Sequence, residues 1–217
     1  MFHVKHLNVE AEPEGAASLF GDRITAARAF VSHLAEYGEE LGLIGPLERS
    51  RLWSRHVLNS AVVAPYLREG GRVADVGSGA GLPGLVLAIA RPDAEIVLIE
   101  PMERRTDWLL AEVGRLGLRN VTVLRARAEE AIASGPYDQV TARAVKALKQ
   151  LIPMTRPLLD SGGEMLFLKG ARVEEEISAA TKQIRAARLG SVETLELGAG
   201  LVPVVTRLFR ATVEPAS

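Results

Sequence analysis

Val73-Ala-Asp75-Val-Gly77-Ser-Gly79-Ala-Gly81-Leu-Pro83-Gly84, followed by the apolar stretch 85–90, reads as a strand that runs into a glycine-rich turn and then a helix. Glycine belongs where backbone turns tightly and passes close to a ligand with no Cβ in the way. Glu100, twenty-one residues beyond Gly79, closes the next apolar run. A carboxylate there can accept hydrogen bonds from both hydroxyls of a ribose. The pattern predicts a nucleoside-binding site. Gly79-Ala-Gly81-Leu-Pro-Gly84 also satisfies the dinucleotide fingerprint G-x-G-x-x-G, and a lone match of that kind discriminates poorly. Asp75 tilts the choice, because an acid just ahead of the glycines can orient the amino group of a methionine moiety but opposes a pyrophosphate. S-adenosylmethionine is therefore the expected cofactor, held by Asp75, Gly77, Gly79, Gly81 and Glu100. Arg127-Ala128-Glu129 follows a third apolar run, where the Ala128 amide and Glu129 can read adenine. Glu129 alone would pass for a solvated first helix turn.

Around this loop, β-branched runs at 72–77, 95–99, 121–124, 137–141 and 164–168 alternate with amphipathic stretches. Such alternation predicts a parallel sheet covered on both faces, with ligands at the carboxyl ends of the strands. Two further runs, 192–197 and 204–212, lie too close together for a helical crossover and predict a hairpin. The expected fold is α/β: a Rossmann-like, mainly parallel seven-stranded sheet with an antiparallel last strand, as in class I methyltransferases. Upstream, Leu19, Phe20, Ile24, Ala27, Phe30, Val31, Leu34 and Leu41 recur at helical spacing, and a second helix is expected over 54–67. The chain thus divides into a mobile lead-in (1–18), an N-terminal helical segment (19–69) and a Rossmann-like domain (70–217).

Composition narrows the function classes. The chain of 217 residues has a net charge of -1, so any nucleic-acid contact must be local rather than a global basic footprint. It has no cysteine, which removes disulfides, cysteine-ligated zinc and a thiol nucleophile together. The start, Met1-Phe2-His3-Val4-Lys5-His6, lacks the apolar core of a signal peptide, and the expected address is the cytosol. His3, His6 and His33 show no metal-ligand spacing, and no metal is expected. Trp53 and Trp108 fall in helical patterns as packing residues.

Arg55-His56-Val57-Leu58-Asn59-Ser60, the Asp75–Gly84 loop, the stretch from Glu100 to Trp108, Thr141-Ala-Arg143-Ala and Phe167-Leu-Lys169-Gly170 occur in that order. In this combination the chain resembles the RsmG (GidB) family of small-subunit (16S) ribosomal RNA guanine-N7 methyltransferases over about residues 24–211. The resemblance implies S-adenosylmethionine binding through Gly77, Leu82, the Ala128-Glu129 pair and Arg143. It also implies one modified guanine in small-subunit RNA. Asn59 departs from the aspartate found in many family members.

The residues suit that chemistry. Methylating an exocyclic amine calls for a motif of the type Asn/Asp-Pro-Pro-Tyr after the fourth strand, where this chain reads Thr141-Ala142-Arg143-Ala144. Methylating pyrimidine carbon 5 needs a cysteine, which is missing. Guanine N7 offers an in-plane lone pair and requires alignment and desolvation without a general base. Arg143 is the candidate catalytic residue, orienting cofactor or guanine, the latter at O6. RNA contacts are expected from Arg127 and Lys169, with Arg55 and His56 covering the pocket. Arg119, Arg125, Lys146, Lys149 and Arg172 complete a basic set, each of which would otherwise pass for a solvated surface cation. The protein is expected to act as a monomer on ribosomal RNA within a small subunit or assembly intermediate. The competing readings are a noncatalytic ribosome-assembly factor on the same fold, a nicotinamide-dependent oxidoreductase, and a methyltransferase for a small molecule or protein.

Overall fold

Strands as uniformly apolar as Ile96, Val97 and Leu98 are satisfied only inside a sheet covered on both faces, and all three are fully buried. The computed structural model describes residues 9–215, so His3, His6 and the first eight residues of the lead-in lie outside it. Its seven strands are β1 (Arg72–Val76), β2 (Glu95–Ile99), β3 (Val121–Leu124), β4 (Tyr137–Arg143), β5 (Leu159–Lys169), β6 (Leu189–Leu197) and β7 (Thr206–Val213). They form one sheet in the order β3-β2-β1-β4-β5-β7-β6. Neighbours from β3 to β5 run parallel, and β7 runs antiparallel to both β5 and β6. The expected fold is borne out, hairpin included. Strand order reverses between β1 and β4, which opens a crevice at their carboxyl ends.

The helices are α1 (Gly15–Phe20), α2 (Ile24–Tyr37), α3 (Leu58–Ala61), α4 (Gly84–Ala90), α5 (Glu103–Leu116), α6 (Leu148–Thr155), α7 (Val173–Ala179) and α8 (Thr181–Ala186). The single helix expected from Leu19 to Leu41 is broken at Gly21 and ends at Tyr37, leaving Leu41 in a turn. The helix expected over 54–67 is instead a π-helical turn (Leu52–Val57), then α3, then a 3-10 turn at Ala64–Tyr66. Pro65 lacks the N–H that would carry an α-helix onward. The lead-in is also anchored in its described part. The Glu10 amide donates to the Arg49 carbonyl (3.2 Å), its carboxylate accepts from the Ser54 amide (2.9 Å), and Glu12 pairs with Arg28 (2.6 Å).

Two apolar clusters flank the sheet. On one face Phe30, Leu34, Leu52 and Leu58 of the N-terminal segment pack in the same cluster as Leu85, Ile96 and Leu98. On the other, Val97, Ile99 and Leu151 share a cluster with Phe167 and Phe209, whose rings stack at 5.8 Å. Burying one such side chain is worth about 1.5–3 kcal/mol. The N-terminal segment is therefore part of the core, and this is what lets it reach the crevice.

Candidate active site

At the carboxyl end of β1 the chain turns through Gly77 at φ +72°, a region that disfavours side chains. A Cβ there would also lie 2.8 Å from Val145 Cγ2, so the loop and the segment after β4 meet only because the residue is glycine. The Gly79 amide donates to Glu100 Oε2 (3.0 Å) and the Met102 amide to Oε1 (3.1 Å). These bonds fix the buried carboxylate at the end of β2. Each carboxylate oxygen has two lone pairs, so Glu100 keeps acceptor capacity for a ligand. Trp108 Nε1 donates to the Ala80 carbonyl (3.1 Å) and ties α5 to the same loop. With Trp53 it is buried, as expected of a packing residue.

These elements enclose a cavity of about 640 Å³ at the carboxyl edge of the sheet. Arg143 enters at the end of β4. One Nη donates to the Arg55 carbonyl (3.1 Å) and the other to His56 Nδ1 (2.8 Å). His56 Nε2 in turn donates to Glu48 Oε2 (2.6 Å). Burial, and then the neighbouring Arg143 charge, push the His56 pKa down to about 4, so its ring is neutral at ordinary pH. Burial lowers Arg143 to about 10, which leaves it protonated. The site therefore presents a guanidinium that is hydrogen-bonded yet has no carboxylate directly against it.

The cavity gathers Gly77, Gly79, Leu82, Glu100, Arg127, Ala128, Glu129, Arg143 and His56 from the expected set. Four expected residues do not line it. Asp75 is fully buried; its Oδ2 accepts from the Gly84 amide (3.1 Å) at the start of α4, and its Oδ1 has no hydrogen-bond partner among the described residues. Burial drives its pKa up to about 7, partly offset by the Ser78 hydroxyl and the Gly84 amide. Gly81, at φ +93°, leaves space for Leu85, whose Cδ1 would stand 2.3 Å from a Cβ. Arg55 contributes its carbonyl to Arg143, while its half-exposed side chain leans toward Glu48 (3.9 Å). Lys169 is drawn inward, because its ammonium pairs with Glu176 (2.7 Å) and donates to the Lys146 carbonyl (3.1 Å).

The wider basic set divides in the same way. Arg119 lies just before β3, at the opposite edge of the sheet, and Arg125 pairs with Glu103 (2.7 Å). Exposed Lys146 lines the cavity, with exposed Lys149 and Arg172 on the segments beside it. Sequence reasoning missed Leu43, Ile44, Gly45 and Glu48, a wall supplied by the loop after α2. Gly42 and Gly45 mark that loop as a turn, but nothing local points it at the cavity. Asn59, the departure from the family pattern, leaves a buried Oδ1 without a partner. No group of three or more potential metal ligands occurs among the described residues.

The chain matches the GidB family, described as rRNA small subunit methyltransferase G, over residues 23–201. It is 59% identical over 206 residues to the ribosomal RNA small subunit methyltransferase G of Leifsonia xyli, covering 95% of this chain and 98% of that protein. Its identity to the protein of the same name from Clavibacter michiganensis is 60% over 205 residues, covering 94% and 97%. Among solved structures, it superposes on an S-adenosylmethionine-dependent O-methyltransferase of Thermotoga maritima with a TM-score of 0.58 at 19% identity, covering 74% of this chain and 66% of that one. For Aeropyrum pernix fibrillarin with natively bound S-adenosylmethionine the TM-score is 0.55 at 19% identity, covering 72% and 74%. At such identities the structural likeness speaks for the fold alone.

Proposed function

This chain belongs to the GidB family of rRNA small subunit methyltransferases, and from that premise we propose that it methylates N7 of a single guanine in small-subunit (16S) ribosomal RNA. It is an S-adenosylmethionine-dependent enzyme. The observation that carries the N7 reading is the state of His56, the one imidazole among the described residues lining the cavity: Nδ1 accepts from Arg143 and Nε2 donates to Glu48. Neither nitrogen is free to act as a base, and N7 needs none.

The cavity suits the cofactor: Gly77 and Gly79 bring bare backbone to its wall, and Glu100 offers unused lone pairs toward it. When bound, S-adenosylmethionine would supply a sulfonium methyl group to the N7 lone pair, the C–S bond electrons staying with sulfur as S-adenosylhomocysteine leaves. In this reading Glu100 takes the ribose hydroxyls, and Ala128 with Glu129 takes the adenine edge. Leu82 and Ala80 are buried and exclude water from the floor. Arg143 donates to guanine O6 and leaves N7 open. Since N7 carries no proton, no residue has to remove one, and the product leaves as a cation. Asp75 is assigned to tying the loop to α4, and Lys169 to setting the 144–147 segment beside the pocket. Arg127, Lys146, Lys149 and Arg172 take RNA phosphates.

No helix among the described residues is long and apolar enough to cross a membrane, and we assign the enzyme to the cytosol as a monomer acting on the subunit or its assembly intermediates. The test is methyl transfer from labelled S-adenosylmethionine to small-subunit particles and naked RNA from cells lacking this protein, with mapping of the modified base. Label at N7 of one guanine is expected. S-adenosylmethionine binding without RNA labelling would leave the fold intact and sink the RNA reading, in favour of a noncatalytic assembly role.

A further inference from the structure

Arginine offers five N–H donors in a rigid fork. In Arg143 two are taken at the cavity wall, by the Arg55 carbonyl and by His56 Nδ1. Three have no hydrogen-bond partner among the described residues, and Arg143 lines the cavity. The anchor is itself anchored: Glu48 Oε2 takes the His56 Nε2 proton, the second Glu48 oxygen accepts from Arg51 (2.7 Å), and the Ser60 hydroxyl donates to the His56 carbonyl (2.7 Å). A partner that accepts on Nδ1 must donate on Nε2, so Glu48 sets the tautomer that Arg143 requires. A carboxylate in place of His56 would hold Arg143 equally well but would neutralise its charge.

We propose that His56 is a positioning residue for methyl transfer, locking Arg143 through Nδ1 so that the remaining guanidinium donors face the reacting base. Glu48 acts one step further back by holding the ring. His56 lines the cavity with both ring nitrogens engaged, and so acts through Arg143. The inference rests on the reading that Arg143 meets the guanine.

The test is a double-mutant cycle on the full chain with small subunits as substrate, reading kcat, KM for S-adenosylmethionine, and unfolding temperature. His56→Ala is expected to lower kcat by about 10–100-fold, a fraction of what loss of a transition-state donor costs. KM for S-adenosylmethionine should stay within about threefold, the signature of an interaction used in the transition state alone. His56→Gln, whose amide oxygen can still accept from Arg143, should recover most of the lost kcat. In an Arg143→Lys background, His56→Ala should cost less than about twofold more, because residues acting as one unit are not additive. The same His56 loss in both backgrounds, or an unchanged kcat, overturns the inference. If His56→Ala fails to fold, Glu48→Gln with and without Arg143→Lys runs the same cycle under the same criterion. A wild-type enzyme that labels no guanine N7 removes the functional reading and the inference with it; equal losses beside a labelled wild type remove the inference alone.

Discussion

The two edges of this sheet treat their cations differently. At the amino edge Arg72 pairs with Glu95 (2.9 Å) and Arg91 with Asp93 (2.6 Å). Arg91 also donates to the carbonyls of Ala64 (2.8 Å) and Leu67 (2.9 Å), pinning the segment before β1. At the carboxyl edge Arg143 meets a neutral imidazole, and Lys146, Lys149 and Arg172 stand exposed around the cavity. The difference teaches that a net charge of -1 conceals an uneven pairing: carboxylates hold these amino-edge arginines, while the exposed carboxyl-edge trio is what the proposed function assigns to RNA. Lys169, Arg125 and Arg105 belong by position to the second edge and by pairing to the first.

Four measurements sharpen or break this contrast. Arg143→Ala should reduce kcat/KM by about 10²–10³-fold, the usual cost of removing a preorganised donor, as read from single-turnover methyl transfer. A loss under about threefold would place Arg143 among the structural arginines. Glu100→Ala should weaken S-adenosylmethionine by roughly 10–100-fold in calorimetry, since charge-assisted hydrogen bonds are each worth about 1.5–3 kcal/mol. Unchanged affinity would mean that Glu100 serves only the Gly79 and Met102 amides and the Arg105 guanidinium (3.7 Å). Replacing Lys146, Lys149 and Arg172 together by alanine should make the salt dependence of RNA binding shallower by roughly 2 in log–log slope, at about 0.7 per phosphate contact. Arg72→Ala and Arg91→Ala should lower the unfolding temperature and leave that slope alone; a slope change from the amino-edge pair would erase the contrast.

The smallest effect lies inside the carboxyl edge. Asp75 has a raised folded pKa of about 7 against an unfolded value of 3.8. Its stabilising contribution is therefore full below pH 3.8 and is lost as pH rises to about 7. His56 has the opposite sign, depressed to about 4 from 6.5, so its contribution is present above 6.5 and is lost as pH falls toward 4. Relative to wild type, Asp75→Asn should gain stability between pH 4 and 7 in urea unfolding while His56→Gln loses it. Trends of the same sign for both variants would contradict the charge states described here.

What the sequence by itself determined is the part written at short range. The strand, glycine turn and helix from Val73 to Ala90, the acid closing β2 and the hairpin at 198–205 all depend on neighbours in the chain. Periodicity and turn chemistry act locally, and they sufficed for the sheet and for a strand-edge cavity lined by Gly77, Gly79 and Glu100. Asp75 and Gly81 were legible by type, but their packing was not. Where α4 sits decides that Asp75 Oδ2 meets the Gly84 amide and that Leu85 fills the space beside Gly81. Only the tertiary structure decided which distant charges meet. Glu48 and His56 reach Arg143 across a separation of 87 residues between the latter two, and Glu176 captures Lys169. The physical reason is that the partner of a charge is set by packing: the N-terminal segment shares the core of the β1–β2 face, and that shared core carries the loop of Glu48 and the turn of His56 to the rim of the cavity.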